Sequence, residues 1–279
     1  MFYLSIILIQ MKVLLNNTSL FESLRPFNDL GFVPTMGGIH KGHLSLINKS
    51  NKLCKKTIVS IFINPKQFNN KKDLKSYPRN LKKDLKILKK LKVNFVYTPL
   101  KNQVYRSKNK IKIQILKKDK ILCAKYRKGH FEGVLAVVNR LLSNIHSRYM
   151  FLGEKDFQQV YLIKKYLQKK FTTKIISCKT VRNKNKLPLS SRNNLLNKNS
   201  IKKSEKISQT LLKLKKRIIL NFNNINLLRD YKNKINKLCD KIEYLEIRNI
   251  KNLSNKLSKN DSKIFIAYRQ GNVRLIDNI

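Results

Sequence analysis

Acidic residues are scarce in this chain. Its 279 residues include 15 aspartates and glutamates against 62 lysines and arginines, which gives a formal net charge of +47. A balance of this kind ordinarily indicates a nucleic-acid or anionic-membrane partner. The lysines, however, are spread along the whole chain among many asparagines and isoleucines, and all three amino acids have codons rich in A and T. We therefore attribute the charge to the base composition of the gene. We predict no specific nucleic-acid partner, only weak and salt-sensitive binding to polyanions.

Cysteine is also sparse. The four cysteines, Cys54, Cys123, Cys178 and Cys239, stand far apart and form neither a Cys-x-x-Cys pair nor a cluster with histidine. This spacing argues against a zinc site and gives no reason to predict disulfide bonds. A reducing compartment, the cytoplasm, is therefore expected.

The apolar start of the chain lacks the features of a membrane or secretion signal. Residues 1–9 are too few to span a bilayer, and they have neither a basic leading region nor a small-residue cleavage site. We interpret them as the first strand or an upstream extension. Met11 is an alternative start, because residues 11–15 also have the pattern of an opening strand. No membrane partner is predicted.

Apolar stretches of strand length alternate with amphipathic stretches of helix length in the first part of the chain. Alternation of this kind is typical of a parallel sheet covered by helices on both faces. The alternately basic and apolar segment 110–123 is interpreted as a β-hairpin or flap. The predicted strands are 57–63, 93–97, 149–152 and 174–178.

After about residue 193 the pattern changes to long helices at 201–220 and 227–239, followed by two short strands at 244–247 and 264–268. The hydrophobic content of 42% over 279 residues suffices for two domains with real cores. The predicted fold is therefore α/β, a Rossmann-like doubly wound parallel sheet with a smaller C-terminal α+β domain. We assign residues 1–179 to the catalytic domain and residues 180–279 to the smaller domain, which acts as a lid.

The segment 31–43 has the most distinctive chemistry. It reads as the end of an apolar strand, a glycine-rich turn and a helix that begins near His43. The glycines let the backbone approach a ligand, and the helix start directs free N–H groups and a positive dipole end toward it. A phosphate is therefore the expected ligand. His40 and His43 can face the same phosphate and stabilise the charge that develops as pyrophosphate leaves. The alternative is a βα turn with two incidental histidines.

Two further loops follow predicted strands. At the same edge of a parallel sheet they would meet the turn that carries His40 and His43, which we call the histidine turn. Gln67, in an Asn-Pro-Lys-Gln-Phe loop, can donate to and accept from hydroxyl and carboxylate groups. In the loop 153–159, Lys155 is suited to phosphates, Asp156 to a ribose hydroxyl, and Gln159 lies one helical turn further on. Each loop taken alone is also consistent with an ordinary turn.

A third polar cluster, Ser190, Ser191 and Arg192, precedes the first C-terminal helix. Two hydroxyls beside an arginine can surround the terminal phosphates of a nucleotide, and a flexible loop that carries them can close over a site during reaction. The alternative is that one serine serves only as the N-cap of the next helix.

The string from Val33 to Ile47, with its His-x-Gly-His, resembles the signature of the nucleotidyltransferase superfamily and, more specifically, of the pantothenate synthetase (pantoate–β-alanine ligase) family. Segments 60–68, 130–160, 180–194 and 266–279 resemble the same family in the same order. The family joins pantoate to β-alanine at the expense of ATP, which becomes AMP and pyrophosphate, through an enzyme-bound pantoyl adenylate and with Mg²⁺. The resemblance implies a cytoplasmic, homodimeric ligase of pantothenate biosynthesis whose domain 1–179 binds ATP and pantoate.

The resemblance also implies roles for the matching residues. His43 would be the general acid as pyrophosphate departs, with His40 close to the α-phosphate and Lys155 at the phosphates. Gln67 and Gln159 would form the site for the substrates pantoate and β-alanine, holding pantoate through its hydroxyls and carboxylate. Asp84 is a candidate ligand for Mg²⁺. The ATP site would consist of Met36, Gly37, Gly38, Ile39, His40, Lys41, Gly42, His43, Gly153, Glu154, Lys155, Asp156, Val181, Leu189, Ser190, Ser191 and Arg192.

Some positions depart from the common pattern of the family. Lys41 replaces an acidic residue in the histidine turn, and Lys66 stands where methionine is usual. Before the loop with Ser190, Ser191 and Arg192, which we call the serine loop, Asn183, Asn185 and Lys186 replace the usual Glu, Asp and Gly. These last changes concern the flexibility of the loop and the reaction rate rather than the phosphate contacts.

Two other functions are consistent with parts of the sequence. One is a different nucleotidyl transfer, against which the matching contexts of Gln67 and Gln159 argue. The other is a basic RNA-binding protein that retains the fold without the chemistry. That protein would have its charge on one face and a damaged site, whereas here the charge is diffuse and the phosphate-binding residues are present.

Overall fold

Two sheets and their helices make up the structure, a computed structural model that describes residues 10–105, 113–220, 225–258 and 260–279. The strands are β1 (Lys12–Leu14), β2 (Leu30–Thr35), β3 (Lys56–Ile61), β4 (Phe95–Tyr97), β5 (Tyr149–Gly153), β6 (Lys174–Cys178), β7 (Lys241–Asn249), β8 (Ser262–Gln270) and β9 (Val273–Asn278). The helices are α1 (Asn17–Leu24), α2 (Lys41–Leu53), α3 (Lys71–Ser76), α4 (Leu81–Lys90), α5 (Lys101–Val104), α6 (Leu122–Tyr126), α7 (His130–Asn144), α8 (Phe157–Leu167), α9 (Lys198–Leu220) and α10 (Ile225–Asn236).

Parallel strands form the main sheet in the order β1-β4-β3-β2-β5-β6. The chain builds outward from β2 through β3 to β4, and then crosses to the other side of β2 with β5 and β6. Such a reversal is the switch point of a doubly wound sheet, where the loops at the carboxyl ends of the strands form a crevice. Strands β2 and β5 pair only at Gly31 with Tyr149 and Phe32 with Met150, so they separate toward this crevice. The predicted fold class is confirmed.

Helices cover both faces of the main sheet, because adjacent residues of each buried strand point to opposite sides. Phe32 of β2 packs into a core with α1, α7 and α8, whereas its neighbour Val33 packs into a second core with α2 and α4. Ile58 and Val59 of β3 divide in the same way. Strands buried on both faces read as continuous apolar runs, which is why the sequence predicts the central strands.

The C-terminal part is α+β, as predicted, but it has one strand more than the sequence indicates. Helices α9 and α10 pack on an antiparallel sheet in the order β7-β8-β9. The missed strand is β9, in which Arg274 and Asp277 interrupt the apolar pattern. The Gly271-Asn272 pair that connects it to β8 is a hairpin signal that could have revealed it, and Gly271 has a φ of +59°.

The prediction of a hairpin or flap at 110–123 is wrong for the described residues of that segment. Residues 113–121 form a loop with a short 3₁₀ turn, and α6 begins at Leu122. The alternation arises because Ile115 enters the main core and the buried carboxylate of Asp119 pairs with Lys165 at 2.6 Å. The segment is thus held by single side chains and not by strand pairing.

Two predictions concern the start of the chain, one for residues 1–9 and one for residues 11–15. The first, for residues 1–9, lies outside the described residues. The second, an opening strand within residues 11–15, is supported, because β1 falls within this range and pairs with β4 at the sheet edge. Within the described ranges, no helix combines the length and the apolar character needed to cross a bilayer.

Candidate active site

The turn between β2 and α2 is shaped by two glycines and a buried carboxylate. Gly37 and Gly38 have φ values of +81° and +64°, in the left-handed region that residues with a Cβ rarely adopt. Asp84 of α4 is 2% exposed, and its two oxygens accept hydrogen bonds from the backbone N–H groups of Gly38 and Ile39, both at 2.9 Å. The carboxylate therefore holds the glycine turn in its unusual conformation.

His40 and His43 lie side by side after this turn, with their ring centroids 4.1 Å apart. Nδ1 of His40 accepts a hydrogen bond from the N–H of Gly42 at 3.1 Å, and Nδ1 of His43 accepts one from the N–H of His40 at 3.4 Å. Since each Nδ1 is an acceptor, each neutral ring has its proton on Nε2. Gly42 leaves the necessary space, because a Cβ there would lie 2.7 Å from Cε1 of His40.

Both imidazoles are neutral at pH 7. Burial, with a smaller effect of the Lys155 charge, lowers the pKa of His40 to about 4. Burial, together with the neighbouring His40, lowers the pKa of His43 to about 3. In the protein alone the two rings are therefore neutral hydrogen-bond donors. The role of His43 as a general acid stays a prediction, and it requires a bound triphosphate to raise this pKa.

Acidification is expected to destabilise the protein through these histidines. A histidine in the unfolded chain gains a proton near pH 6.5, whereas His40 and His43 do so only near pH 4 and 3. Their stabilisation is complete above pH 6.5 and is lost as the pH falls toward those values, by roughly 1.4 kcal/mol per pH unit for each ring. Urea unfolding at several pH values between about 7 and 5 measures the slope. The His43→Gln variant should lose one ring's share of it, and an unchanged slope would contradict the assignment.

Gln67 lies just beyond β3, and its neighbours hold both its side chain and its backbone. Asn64 donates from Nδ2 to Oε1 of Gln67 at 3.3 Å and to the carbonyl of Gly133 at 3.0 Å. His130 is 2.7 Å from the carbonyl of Gln67 through Nδ1, and 2.9 Å from the guanidinium of Arg127 through Nε2. Because a guanidinium only donates, Nε2 accepts and Nδ1–H donates. Burial lowers the pKa of His130 well below its usual value, so the ring remains neutral.

Gly133→Ala is expected to displace the Gln67 loop. A Cβ at residue 133 would lie 2.3 Å from the carbonyl oxygen of Lys66 and 3.0 Å from the nitrogen of Gln67. These are backbone atoms, so the loop has to move, and we expect a loss of about 1–3 kcal/mol in the free energy of unfolding. Urea unfolding measures this loss, with Ser143→Ala, at an exposed position of the same helix α7, as the matched control. Equal stabilities of the two variants would contradict the close packing.

The loop after β5 brings Lys155 and Asp156 together, with Nζ and Oδ1 3.5 Å apart. The C-terminal strand holds this loop, because Nδ2 of Asn278 donates to the carbonyls of Glu154 and Lys155, both at 2.9 Å. The adjacent Asp277 accepts two hydrogen bonds from the Arg182 guanidinium, at 2.6 and 2.8 Å. Strand β9, which the sequence did not predict, thus positions the Lys155 loop.

The serine loop packs against the histidine turn. The Cβ of Ser191 is 3.1 Å from the place where a Cβ on Gly38 would stand, and Oγ of Ser191 donates to the hydroxyl of Tyr77 at 3.1 Å. Arg192 pairs with Asp73 at 3.0 Å. Ser190 also caps the 3₁₀ helix Ser191–Leu195. The capping alternative and the position beside the histidines are therefore both realised.

Two asparagines before the serine loop, Asn183 and Asn185, bind it to α9 through hydrogen bonds. Side-chain amides of Asn183 and Asn185 donate to the two carboxylate oxygens of Glu205 at 2.7 and 2.8 Å. Lys186 has a φ of +74°, in the left-handed region that favours glycine. A side chain in this conformation costs about 1–2 kcal/mol.

One cleft at the switch point collects most of the predicted residues. Five residues of the predicted ATP site do not line this cleft. Three of them form the turn behind it, namely Gly37, Gly38 and Ile39. Lys41 is exposed, and the carboxylate of Glu154 lies 3.8 Å from Nζ of Lys263. The cleft has a volume of about 230 Å³ and is lined by Met36, His40, Gly42, His43, Gln67, Gly153, Lys155, Asp156, Gln159, Val181, Leu189, Ser190, Ser191 and Arg192.

Asp84 does not line the cleft. Both of its oxygens are already engaged by the backbone of the histidine turn. In the part of the chain that the structure describes, no group of three or more His, Cys, Asp or Glu side chains is placed to hold a metal ion. The residues present do not fit a Mg²⁺ ion held by the protein alone, and the geometry supports Asp84 as a positioning residue instead of a metal ligand.

Sequence reasoning assigned no site role to Asn64, Tyr77, Arg127 or His130, although all four line the same cleft. The sequence carries one usable signal for them, because His130 is a third histidine in a chain that has only four. The others are single polar residues that only the tertiary contacts single out. Their common role is to hold the loops that present Gln67 and Ser191.

A doubly wound sheet with a His-x-Gly-His turn at its switch point defines an α/β protein of the nucleotidyltransferase class. The sequence model of the pantoate-beta-alanine ligase family matches residues 11–279, and the chain belongs to this family. Pantothenate synthetase of Francisella tularensis subsp. novicida is 40% identical over 262 residues, which are 93% of this chain and 92% of that protein. The subsp. mediasiatica enzyme is 39% identical over 272 residues, 95% of this chain and 96% of that protein.

Solved structures agree with this assignment. The crystal structure of pantothenate synthetase from Thermus thermophilus superimposes with a TM-score of 0.88 at 28% identity, and covers 96% of this chain and 99% of that one. The Francisella tularensis pantoate-beta-alanine ligase, crystallised with beta-gamma ATP and β-alanine, has a TM-score of 0.83 at 38% identity, with 97% of each chain covered. The fold and the family predicted from the sequence are confirmed.

Proposed function

We propose that this protein is an ATP-dependent ligase that condenses pantoate with β-alanine to give pantothenate, AMP and pyrophosphate. The observation that carries the proposal is the convergence of the histidine pair, Gln67 and Gln159, Lys155 and the serine loop on one cleft at the switch point. The family assignment over residues 11–279 supports the same reaction.

The first half-reaction is the attack of the pantoate carboxylate on the α-phosphorus of ATP. A P–O bond to pantoate forms, and the P–O bond to pyrophosphate breaks. The arrangement favours catalysis by positioning and charge stabilisation. The neutral Nε2–H groups of His40 and His43 would donate to the phosphate oxygens, while Lys155 and Arg192 supply positive charge. Gln67 and Gln159 would orient pantoate through hydrogen bonds to its hydroxyl and carboxylate groups.

In the second half-reaction the free amine of β-alanine attacks the acyl carbon of the pantoyl adenylate. A C–N bond forms, the C–O bond to AMP breaks, and the proton that the amine loses passes to the departing AMP phosphate or to water. Asp156 would bind the ribose of the nucleotide, and Val181 and Leu189, apolar residues that line the cleft, would contact its base. We also propose that Mg²⁺ enters with the triphosphate, that the lid 180–279 closes through the serine loop, and that the protein is a cytoplasmic homodimer.

The test is pyrophosphate release by the purified protein with ATP and Mg²⁺, with pantoate and β-alanine each added or omitted. Release that depends on pantoate, and pantothenate formation that depends on both substrates, is the expected result. A folded protein that releases no pyrophosphate in the presence of pantoate would overturn the proposal.

A further inference from the structure

Arg127 is a charged side chain in the cleft to which the mechanism above assigns no role. It follows α6 and precedes α7. Its guanidinium donates to Nε2 of His130 at 2.9 Å and to the carbonyl of Gln67 at 3.2 Å. Both partners are uncharged. Burial, together with the nearby Arg274, lowers the pKa of Arg127 to about 10, so the group is still a cation at pH 7.

The other cations near Arg127 are paired with carboxylates. Arg192 pairs with Asp73 at 3.0 Å, and Arg274 pairs with Glu243 at 2.8 Å. Lys155 pairs with Asp156 at 3.5 Å. Among the ion pairs of the described residues, none includes Arg127. A partly desolvated cation without a counter-ion is costly, so this guanidinium is suited to an anion that enters the site.

The two cavities that Arg127 lines differ in size. Arg127 lines the main cleft and also a smaller adjoining cavity of about 70 Å³. The charged residues that line this cavity with it are Arg192, Arg274, Lys155, Asp73 and Asp156. The main cleft has a volume of about 230 Å³, more than three times that of the smaller cavity. The smaller cavity is therefore suited to a small amino acid and the main cleft to the larger nucleotide.

We propose that Arg127 binds the carboxylate of β-alanine and thereby directs its amine toward the acyl adenylate. This inference rests on the proposed function. The amine of β-alanine has to be uncharged and free when it attacks, so the carboxylate is the group by which the enzyme can hold the molecule. Because Arg127 contacts the backbone of Gln67, the proposed pantoate ligand, a carboxylate bound there lies close to the acyl group. The guanidinium fork matches a carboxylate in a bidentate arrangement.

The experiment compares two nucleophiles, β-alanine and β-alaninamide, which has the same amine but no negative charge. Arg127→Met and Arg127→Lys are assayed for amide formation with each nucleophile, and for pantoate-dependent ATP–pyrophosphate exchange, which requires neither. The matched control is Arg148→Met, because Arg148 lies before β5 at the opposite end of the sheet and pairs with Asp29 there. The folded state is checked by thermal unfolding.

In Arg127→Met, the preference for β-alanine over β-alaninamide, measured as the ratio of their kcat/KM values, is expected to fall about 100-fold relative to the wild type, as for a lost buried charge pair. Arg127→Lys keeps the positive charge but lacks the planar guanidinium, so its preference for β-alanine should fall about tenfold. Arg148→Met should leave the ratio unchanged. The ratio cancels any general damage to the site, which would affect both nucleophiles equally.

Three results would overturn the inference. Equal losses for both nucleophiles would make Arg127 a structural residue only. A loss of pyrophosphate exchange with an unchanged nucleophile preference would show that Arg127 binds the phosphates of ATP and not the carboxylate of β-alanine. If Arg127→Met does not fold, Arg127→Lys decides, and an unchanged preference there refutes the role. Absence of pantoate-dependent exchange in the wild type would instead refute the proposed function.

Discussion

His43→Ala is expected to lower kcat by about 10²–10³. This is the usual effect of removing one preorganised donor from the charge that develops in a transition state. His43 is at the first turn of α2, and its Nδ1 is used by the backbone of His40 at 3.4 Å. Its remaining donor, Nε2–H, therefore serves the ligand. Steady-state rates at saturating ATP, pantoate and β-alanine measure the loss, and His146→Ala, at an exposed histidine, is the matched control.

The His43→Gln variant separates two roles for this residue. Glutamine retains a neutral N–H donor but cannot gain a proton near neutral pH. If His43 acts as a neutral donor, as its pKa of about 3 indicates, His43→Gln should retain more activity than His43→Ala and should keep the pH profile of the wild type. If His43 is a general acid, both variants should be equally impaired. A wild-type rate in His43→Ala would remove the residue from the mechanism.

Asp84→Asn is expected to destabilise the protein by about 1.5–3 kcal/mol and to impair both half-reactions. The carboxylate accepts two backbone N–H groups of the glycine turn. An asparagine can accept only one and turns its own N–H₂ toward the other, so a buried donor loses its partner. Hydrogen bonds to a charged group contribute about this much. The glycine turn would no longer be held in its left-handed conformation, and the histidines that follow would be displaced.

Urea unfolding and pantoate-dependent pyrophosphate exchange measure the two effects of Asp84→Asn. Asp230→Asn, at an exposed position of α10, is the matched control. Titration with Mg²⁺ distinguishes the two roles of Asp84. A positioning residue leaves the Mg²⁺ requirement unchanged, whereas recovery of activity at high Mg²⁺ would restore the metal-ligand hypothesis.

Prediction from sequence was accurate where a local pattern had one structural solution. The run from Thr57 to Ile63 is almost continuously apolar, and the corresponding strand β3 is buried on both faces. Glycines and histidines at fixed spacing indicated the turn before α2. Prediction failed for β9, because Arg274 and Asp277 face partners that are distant in sequence, Glu243 and Arg182, and interrupt the apolar alternation. It also missed the structural role of Asp84, whose helix position gives no sign that it bonds to a turn 45 residues earlier.

The sequence by itself determined the fold class, the family and the loops that carry the chemistry. Each depends on periodicity or on motifs within a short stretch of chain, where neighbouring residues restrict one another directly. Tertiary structure alone decided how those loops are held. Asp84 fixes the glycine turn, His130 fixes Gln67, and Asn278 fixes the Lys155 loop. Arg127 has no counter-ion among the residues that the structure describes. Such contacts join residues far apart in sequence, and their energies depend on distance and burial, which exist only once the chain has folded.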